Sequence, residues 1–379
     1  MLQAIVNGQV FDGVSLITDK TVLVEDGRIR ALVDAGQLPA AVADIYDLEG
    51  GILTPGFIDL QVNGGGGELF TATPTVDCLR RMGAAHRATG TTGFLPTLIT
   101  SDYGVMRGAV TAVEQAIAEG VPGVLGIHLE GPFLNPQRRG VHDAGKFCAL
   151  DQAGFDIITS LSAGKTLVTL APELTSAAVI RQLADAGVIV SCGHSAASYA
   201  QTRDALDAGA TGATHLFNAM TPLQSREPGM VGAMLEDDNS WFGIIADGYH
   251  IHPVVFRIAV TAKKTGGAIL VTDAMPTVGS KRQSFELDGE VITASNGRLT
   301  NAAGTLAGSD LDMLSAVNNA SRFAGLDWLE AVRMATAYPA RALGLAGELG
   351  AIKPGYRASL LAFDAGHCLR ASWIDGLRV

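Results

Sequence analysis

Six polar residues stand where short apolar runs of this chain end. Glu130 closes VLGIHLEG (124–131), His194 closes VIVSCGHS (188–195), His215 lies in GATHLFNAM (212–220) and Asp273 in AILVTDAM (268–275). Gln61 and Asn63, two neutral amides, end GFIDLQVNG (56–64). Burying a Glu, two His and an Asp near one point is costly unless they are paired or hold a cation. Two imidazoles and one carboxylate make a catalytic zinc shell that leaves a fourth position for water. Asp273 is then the unliganded base. Gln61 and Asn63 read as partners of that site or as a vacant metal position, because neutral amides are poor ligands for a second cation. His128 shares a strand face with Glu130 by two-residue alternation and reads as packing or as a partner behind the ligand. His86 and His367 fall outside the run ends and read as structural.

The elements that must position these residues are eight apolar runs. Five are those just named, and the other three are TGFLPTLI (92–99), LVTLAPE (167–173) and WFGIIADG (241–248). Stretches with helical spacing, such as VDCLRRMGAAHRATG and AAVIRQLADAG, separate most of them. Near-continuous apolar strands alternating with helices imply a parallel sheet covered on both faces. Eight of them imply an α/β fold of the (β/α)8 TIM-barrel type, with its chemistry at the C-terminal strand ends. An open doubly wound sheet is the alternative, but no GxGxxG follows the first strand, and GGGG (64–67) reads as a loop. The ends of the chain differ in texture. AIVNGQVFD, KTVLVEDGRIRALV and ADIYDLEG are β-prone, EDGR (25–28) is a hairpin turn, and GELGAIKPGYRASLLAFDAG returns to the same pattern. The expected division is a small β-sandwich from 1–54 and 346–379, with the barrel over 55–345.

Composition narrows the partners. The chain has 379 residues, a net charge of −11 and 47% hydrophobic residues. That acidic balance argues against nucleic-acid binding, since no basic surplus exists to displace counterions. Cys78, Cys148, Cys192 and Cys368 are scattered with no CxxC spacing, which suits a reducing compartment. The start MLQAIVNGQVFDG lacks a charged n-region and an apolar h-region, and no run approaches the ~20 residues of a membrane span. A cytoplasmic protein without membrane contact is the expectation.

Taken together, PGFIDLQVNG, GIHLEGPF, SCGHS, THLFNAM, DGYHIHP and VTDAM resemble the N-acetylglucosamine-6-phosphate deacetylases of the amidohydrolase superfamily, nearly end to end. That resemblance implies one divalent metal per subunit, usually Zn²⁺, on Glu130, His194 and His215, with Gln-x-Asn replacing the superfamily's His-x-His; the N/O ligand set also admits Fe²⁺. It implies Asp273 as general base and acid, and His142, in RRGVHDAG beside Val141, as a substrate and oxyanion contact. It further implies that Asn218 and Ala219 line the sugar-phosphate site, that Arg226 and His250 bind the phosphate, and that Leu306, Ala307, Gly308 and Ser309 close over the sugar. Members are generally homodimers in which phosphate-binding side chains can cross the interface. Ser359 departs from the superfamily's usual Asp, outside the expected site. Ser309-x-x-Asp312 is also a plausible helix N-cap. Three rivals share these motifs to different degrees: an N-acetylgalactosamine-6-phosphate deacetylase, another N-acyl or cyclic-amide amidohydrolase, and an inactive barrel used as a binding subunit. The second often bridges two metals with a carboxylated Lys, and no Lys stands at a run end here.

Overall fold

The computed structural model describes residues 1–379. All eight apolar runs are strands: β1 (Phe57–Val62), β2 (Thr91–Ile99), β3 (Gly126–Glu130), β4 (Lys165–Leu170), β5 (Ile189–Cys192), β6 (Gly212–Ala213), β7 (Trp241–Ile244) and β8 (Ala268–Leu270). They pair in chain order in one eight-stranded sheet, every ladder parallel. The residues after β8 close it: Ala274 bridges Val62, and the Asp273 amide donates to the Gln61 carbonyl at 3.0 Å. Asp59 fastens the same seam, accepting from the Thr272 hydroxyl and amide and from the Gln61 amide. The sheet is therefore a closed barrel, as the alternation of runs and helices requires.

Eight helices follow the eight strands, and local chemistry explains their ends. Val76–Arg87 is capped by Thr75, Ala177–Asp185 by Ser176, and Tyr199–Asp207 by a reciprocal Ser198–Gln201 capping box. The helix after β8, Met313–Ala324, begins at Asp312, whose carboxylate accepts from the Ser315 amide. Ser309 is thus not the cap. It ends a strand three residues earlier. The barrel core is a cluster of 70 buried residues. Burial of that extent is the main stabilising contribution, at roughly 25 cal/mol per Å² of apolar surface.

Segments from both ends of the chain build a second layer. One sheet has four strands from residues 3–47; the other has six and joins Ile52–Pro55 and Gln9–Phe11 edge to edge with Leu360–Phe363 and Leu369–Ile374. Their facing side chains, including Ile5, Val22, Leu53, Leu360 and Trp373, form a separate 12-residue core. EDGR is the expected hairpin turn, with Glu25 paired to Arg28 and left-handed φ at Asp26 and Gly27.

One element was not expected. Between β8 and its helix, a four-stranded antiparallel flap runs through Ser284–Leu287, Glu290–Ser295, Arg298–Thr300 and Leu306–Ser309. Its own core is only seven residues, among them Met275, Leu287, Ile292, Leu299 and Ala307. The flap lies on the C-terminal side of the barrel because its last strand hydrogen-bonds the strand-8 end: the Ser309 amide donates to the Asp273 carbonyl at 2.9 Å.

Candidate active site

Glu130, His194 and His215 converge at the barrel mouth. Glu130 Oε1 is 3.2 Å from His194 Nε2 and 3.0 Å from His215 Nε2, and the two Nε2 atoms are 3.1 Å apart. His194 Nδ1 lies 2.8 Å from the Arg138 carbonyl, an acceptor, so Nδ1 carries the proton and Nε2 presents a lone pair. Two imidazole nitrogens and a carboxylate oxygen so close, all 5% exposed or less, repel unless a cation or proton lies between them. The three are the group in this chain able to hold a metal. A Glu/His/His set suits Zn²⁺ or Fe²⁺ and discriminates weakly between them.

The amides of β1 brace this centre. Gln61 Nε2 donates to both Glu130 oxygens, at 3.2 and 3.1 Å, and to Asp273 Oδ1 at 3.0 Å. Asn63 Nδ2 donates to the same Asp273 oxygen at 2.7 Å. With their NH₂ groups turned to carboxylates, Gln61 and Asn63 act as carboxylate-positioning donors. Asn63 Oδ1 has no partner although it is buried. Burial, then the Glu130 charge, push the Asp273 carboxyl up to about 6, against the pull of His215, His250 and Asn63. Burial alone would also raise Glu130; its contacts with the His194 and His215 imidazoles overcome this and hold it well below the usual carboxylate range.

The backbone here is strained. His194, His215, Phe217, Ala219 and Asp273 have φ between 35° and 78°, in the left-handed region. Elsewhere that region is used by Asn, Asp, Glu, His or Gly. A residue held there costs on the order of 1–3 kcal/mol and persists only where surrounding structure over-determines it. Turning the chain sharply after each strand aims these side chains across the mouth instead of up into the loops.

The long segment after β3 folds back over the ligands. His142 Nδ1 is 2.8 Å from the Thr100 hydroxyl, and its ring centroid is 4.4 Å from that of His194. Burial drives its pKa down to about 3, so the ring is neutral. A Thr100 hydroxyl that donates to Nδ1 puts the proton of the neutral ring on Nε2, and the ring lines the cavity. Glu173, at the end of β4, ties this segment to the β5 end, accepting from Asn135 Nδ2, the Ser195 hydroxyl and the Ala196 amide. His128 sits beneath the site as a hydrogen-bonded barrel residue, between Thr97 at 3.1 Å and Thr169 at 2.7 Å. His86 contacts the Gly64 carbonyl and His367 stacks on Trp328, and neither lines the cavity at the mouth.

A cavity of about 380 Å³ opens above the cluster, lined by Asn63, Glu130, Val141, His142, His194, His215, Asn218, Ala219, His250, Asp273, Leu306 and Gly308 among others. Three of the residues proposed to surround substrate are not on its wall. Ala307 and Ser309 point away, because alternation along the Leu306–Ser309 strand sends Leu306 and Gly308 inward and their neighbours into the flap core and onto the Thr272 carbonyl. Arg226 lies in an exposed segment outside the cavity. His250 does line it, held by Asp247 Oδ2 at 2.6 Å from Nδ1. The sequence reading missed Thr100, Glu173, Asp247 and the flap's Arg298. Glu173 and Asp247 carried a signal, each a carboxylate at the end of an apolar run.

The comparisons with known proteins agree with this geometry. A model of the amidohydrolase family matches residues 52–376. An N-acetylgalactosamine-6-phosphate deacetylase of a Shewanella species is 44% identical over 332 residues, 87% of this chain and 84% of the relative. The N-acetylglucosamine-6-phosphate deacetylase of Haemophilus influenzae is 33% identical over 380 residues, 99% of both chains. Among solved structures, the N-acetylglucosamine-6-phosphate deacetylase from Pasteurella multocida superposes with a TM-score of 0.96 at 33% identity, covering 100% of each chain. With likeness of that extent running through both barrel and sandwich, the chain belongs to the amidohydrolase family.

Proposed function

We propose that this chain hydrolyses the acetamide of N-acetyl-D-glucosamine 6-phosphate, releasing acetate and D-glucosamine 6-phosphate. The observation that carries the reading is the convergence of Glu130, His194 and His215 with Asp273 in one buried mouth. One divalent cation, Zn²⁺ by preference, fits the three ligands, and when bound it acidifies water and polarises a carbonyl. The chain's own residues do the rest. Asp273, ionised and held by Gln61 and Asn63, accepts the proton of the attacking water and passes it to the sugar nitrogen as the C–N bond breaks. The neutral His142 donates from Nε2 to the oxygen on which charge develops. Asn218, Ala219, Leu306 and Gly308 shape the sugar site, and His250 supplies a donor for the phosphate.

Arg226 cannot serve its own cavity from where it lies, and its exposure suits a homodimer in which it reaches the neighbouring site. The chain divides into a sandwich of 1–54 with 346–379 and a barrel of 55–345, in keeping with their separate cores. No helix is long and apolar enough to cross a membrane, which accords with a cytoplasmic enzyme.

The test is acetate release by metal-reconstituted protein on N-acetylglucosamine 6-phosphate, its galacto epimer and unphosphorylated N-acetylglucosamine, with metal content measured in parallel. Fastest release from the first supports the reading. The Shewanella relative's name makes the epimer the discriminating competitor, and a higher kcat/KM on it would reassign the sugar. No release from any of the three, with one metal bound, would sink the deacetylase assignment.

A further inference from the structure

The cavity wall carries two carboxylates, four imidazoles and one permanent cation, Arg298. That arginine belongs to the flap. It follows the Asn296–Gly297 turn, where left-handed φ at both residues makes the tight hairpin between Glu290–Ser295 and Arg298–Thr300. The turn is fastened to the barrel by a single side chain: the Tyr249 hydroxyl donates to the Asn296 carbonyl at 2.5 Å. Tyr249 immediately precedes His250, whose ring lines the same cavity. Two segments far apart in sequence, the end of the β7 run and the flap hairpin, are thus joined where each sends a nitrogen donor to the cavity.

The guanidinium is uncommitted. Its hydrogen bond is a long one, from Nη2 to the Gly304 carbonyl at 3.4 Å across the next turn, and no carboxylate pairs with it. An unpaired fork at the mouth of a site whose floor holds Glu130 and Asp273 is oriented for an anionic group at the outer end of a ligand. A phosphate monoester fits its planar, bidentate geometry. Arg226, the other guanidinium considered for this task, stands outside the cavity. We propose that Arg298 is a further specificity-determining residue, which binds the substrate's phosphate in cis together with His250. The proposal rests on the amino-sugar phosphate reading above.

Steady-state kinetics on phosphorylated and unphosphorylated N-acetylglucosamine, for the parent chain, Arg298→Ala and Arg298→Lys, test it. Arg298→Ala raises KM for the phosphorylated sugar about tenfold, the worth of one charge-assisted contact. It leaves kcat within about twofold, since the contact is the same in ground and transition states. Its kcat/KM on the unphosphorylated sugar is unchanged. Arg298→Lys recovers part of the loss, keeping the charge but not the fork. A phosphorylated-sugar KM unaffected in Arg298→Ala overturns the proposal, as do equal losses on both sugars, which mark a flap that has only come loose. A parent chain that prefers neither sugar removes the phosphate reading and this proposal together. A parent with strong preference and an indifferent variant removes only Arg298.

Discussion

The cavity has two ends built on opposite plans. At the barrel end, Glu130, His194, His215 and Asp273 are 2, 4, 5 and 9% exposed, cross-linked by the amides of Gln61 and Asn63 and turned into place by left-handed backbone. At the flap end, Arg298 and Tyr249 are exposed, and the hairpin that carries Arg298 stands on a seven-residue core. The positive φ values there fall at Asp288–Gly289, Asn296–Gly297, Gly304 and Gly308, residue types for which they cost little. Bond making needs atoms held within tenths of an ångström, so it is placed where the whole barrel resists displacement. Anion recognition acts over longer distances and tolerates a softer support.

That contrast can be broken at either end. The largest effect is expected from Asp273→Asn: turnover falls by about 10²–10⁴-fold, the usual worth of a general acid–base group, while bound metal per chain stays constant. Near-normal turnover would remove Asp273 from the chemistry. Next is Gln61→Leu, which takes away the shared donor of Glu130 and Asp273. Metal affinity, measured by competition with a chelator, should drop about 10–100-fold, as for other groups that orient ligands. An unchanged affinity would show that the His pair alone fixes Glu130.

The acid limb of the pH–rate profile is the third test. As the proposed base Asp273 has to be ionised, and its pKa is pushed up to about 6, so activity is expected to be full above that value and to be lost as pH falls through it. A bound cation favours the carboxylate, so at saturating metal the limb should lie at or below pH ~6 and fall about tenfold per unit. A limb above pH 7 in kcat/KM would point to another group. The smallest effect belongs to the flap: Tyr249→Phe loses one exposed hydrogen bond, on the order of 1 kcal/mol. KM for the phosphorylated sugar should rise a few-fold with kcat unchanged, and a large loss of kcat would mean that the flap also positions Asp273 through Ser309.

The barrel was legible because its signal is dense. Each strand is an apolar run, helical stretches intervene, and ligand-type residues recur at one end of the runs. The flap was not, because Ser284–Leu287 and Glu290–Ser295 are short, half-polar strands whose only buried face rests on residues as distant as Leu69 and Ile99. Arg226 shows the same limit in reverse. A motif names a residue type at a position, but whether a long exposed side chain meets its own cavity depends on where a loop runs. Ala307 and Ser309 were grouped with Leu306 and Gly308 because they adjoin in sequence, and strand alternation then divided them.

What the sequence determined by itself was local and periodic: the strand and helix alternation, the turns at EDGR and elsewhere, the caps, and the identity of Glu130, His194, His215 and Asp273 as groups too polar to bury apart. Tertiary structure decided the rest. Closure of β8 onto β1 brought Gln61 and Asn63 against Asp273 across 210 residues or more of chain. Strained turns aimed two imidazoles at one carboxylate oxygen. A hairpin held by Tyr249 set Arg298 at the mouth. Contacts between residues so distant in sequence carry no periodicity, and they take shape only once the barrel has closed and the loops above it have packed.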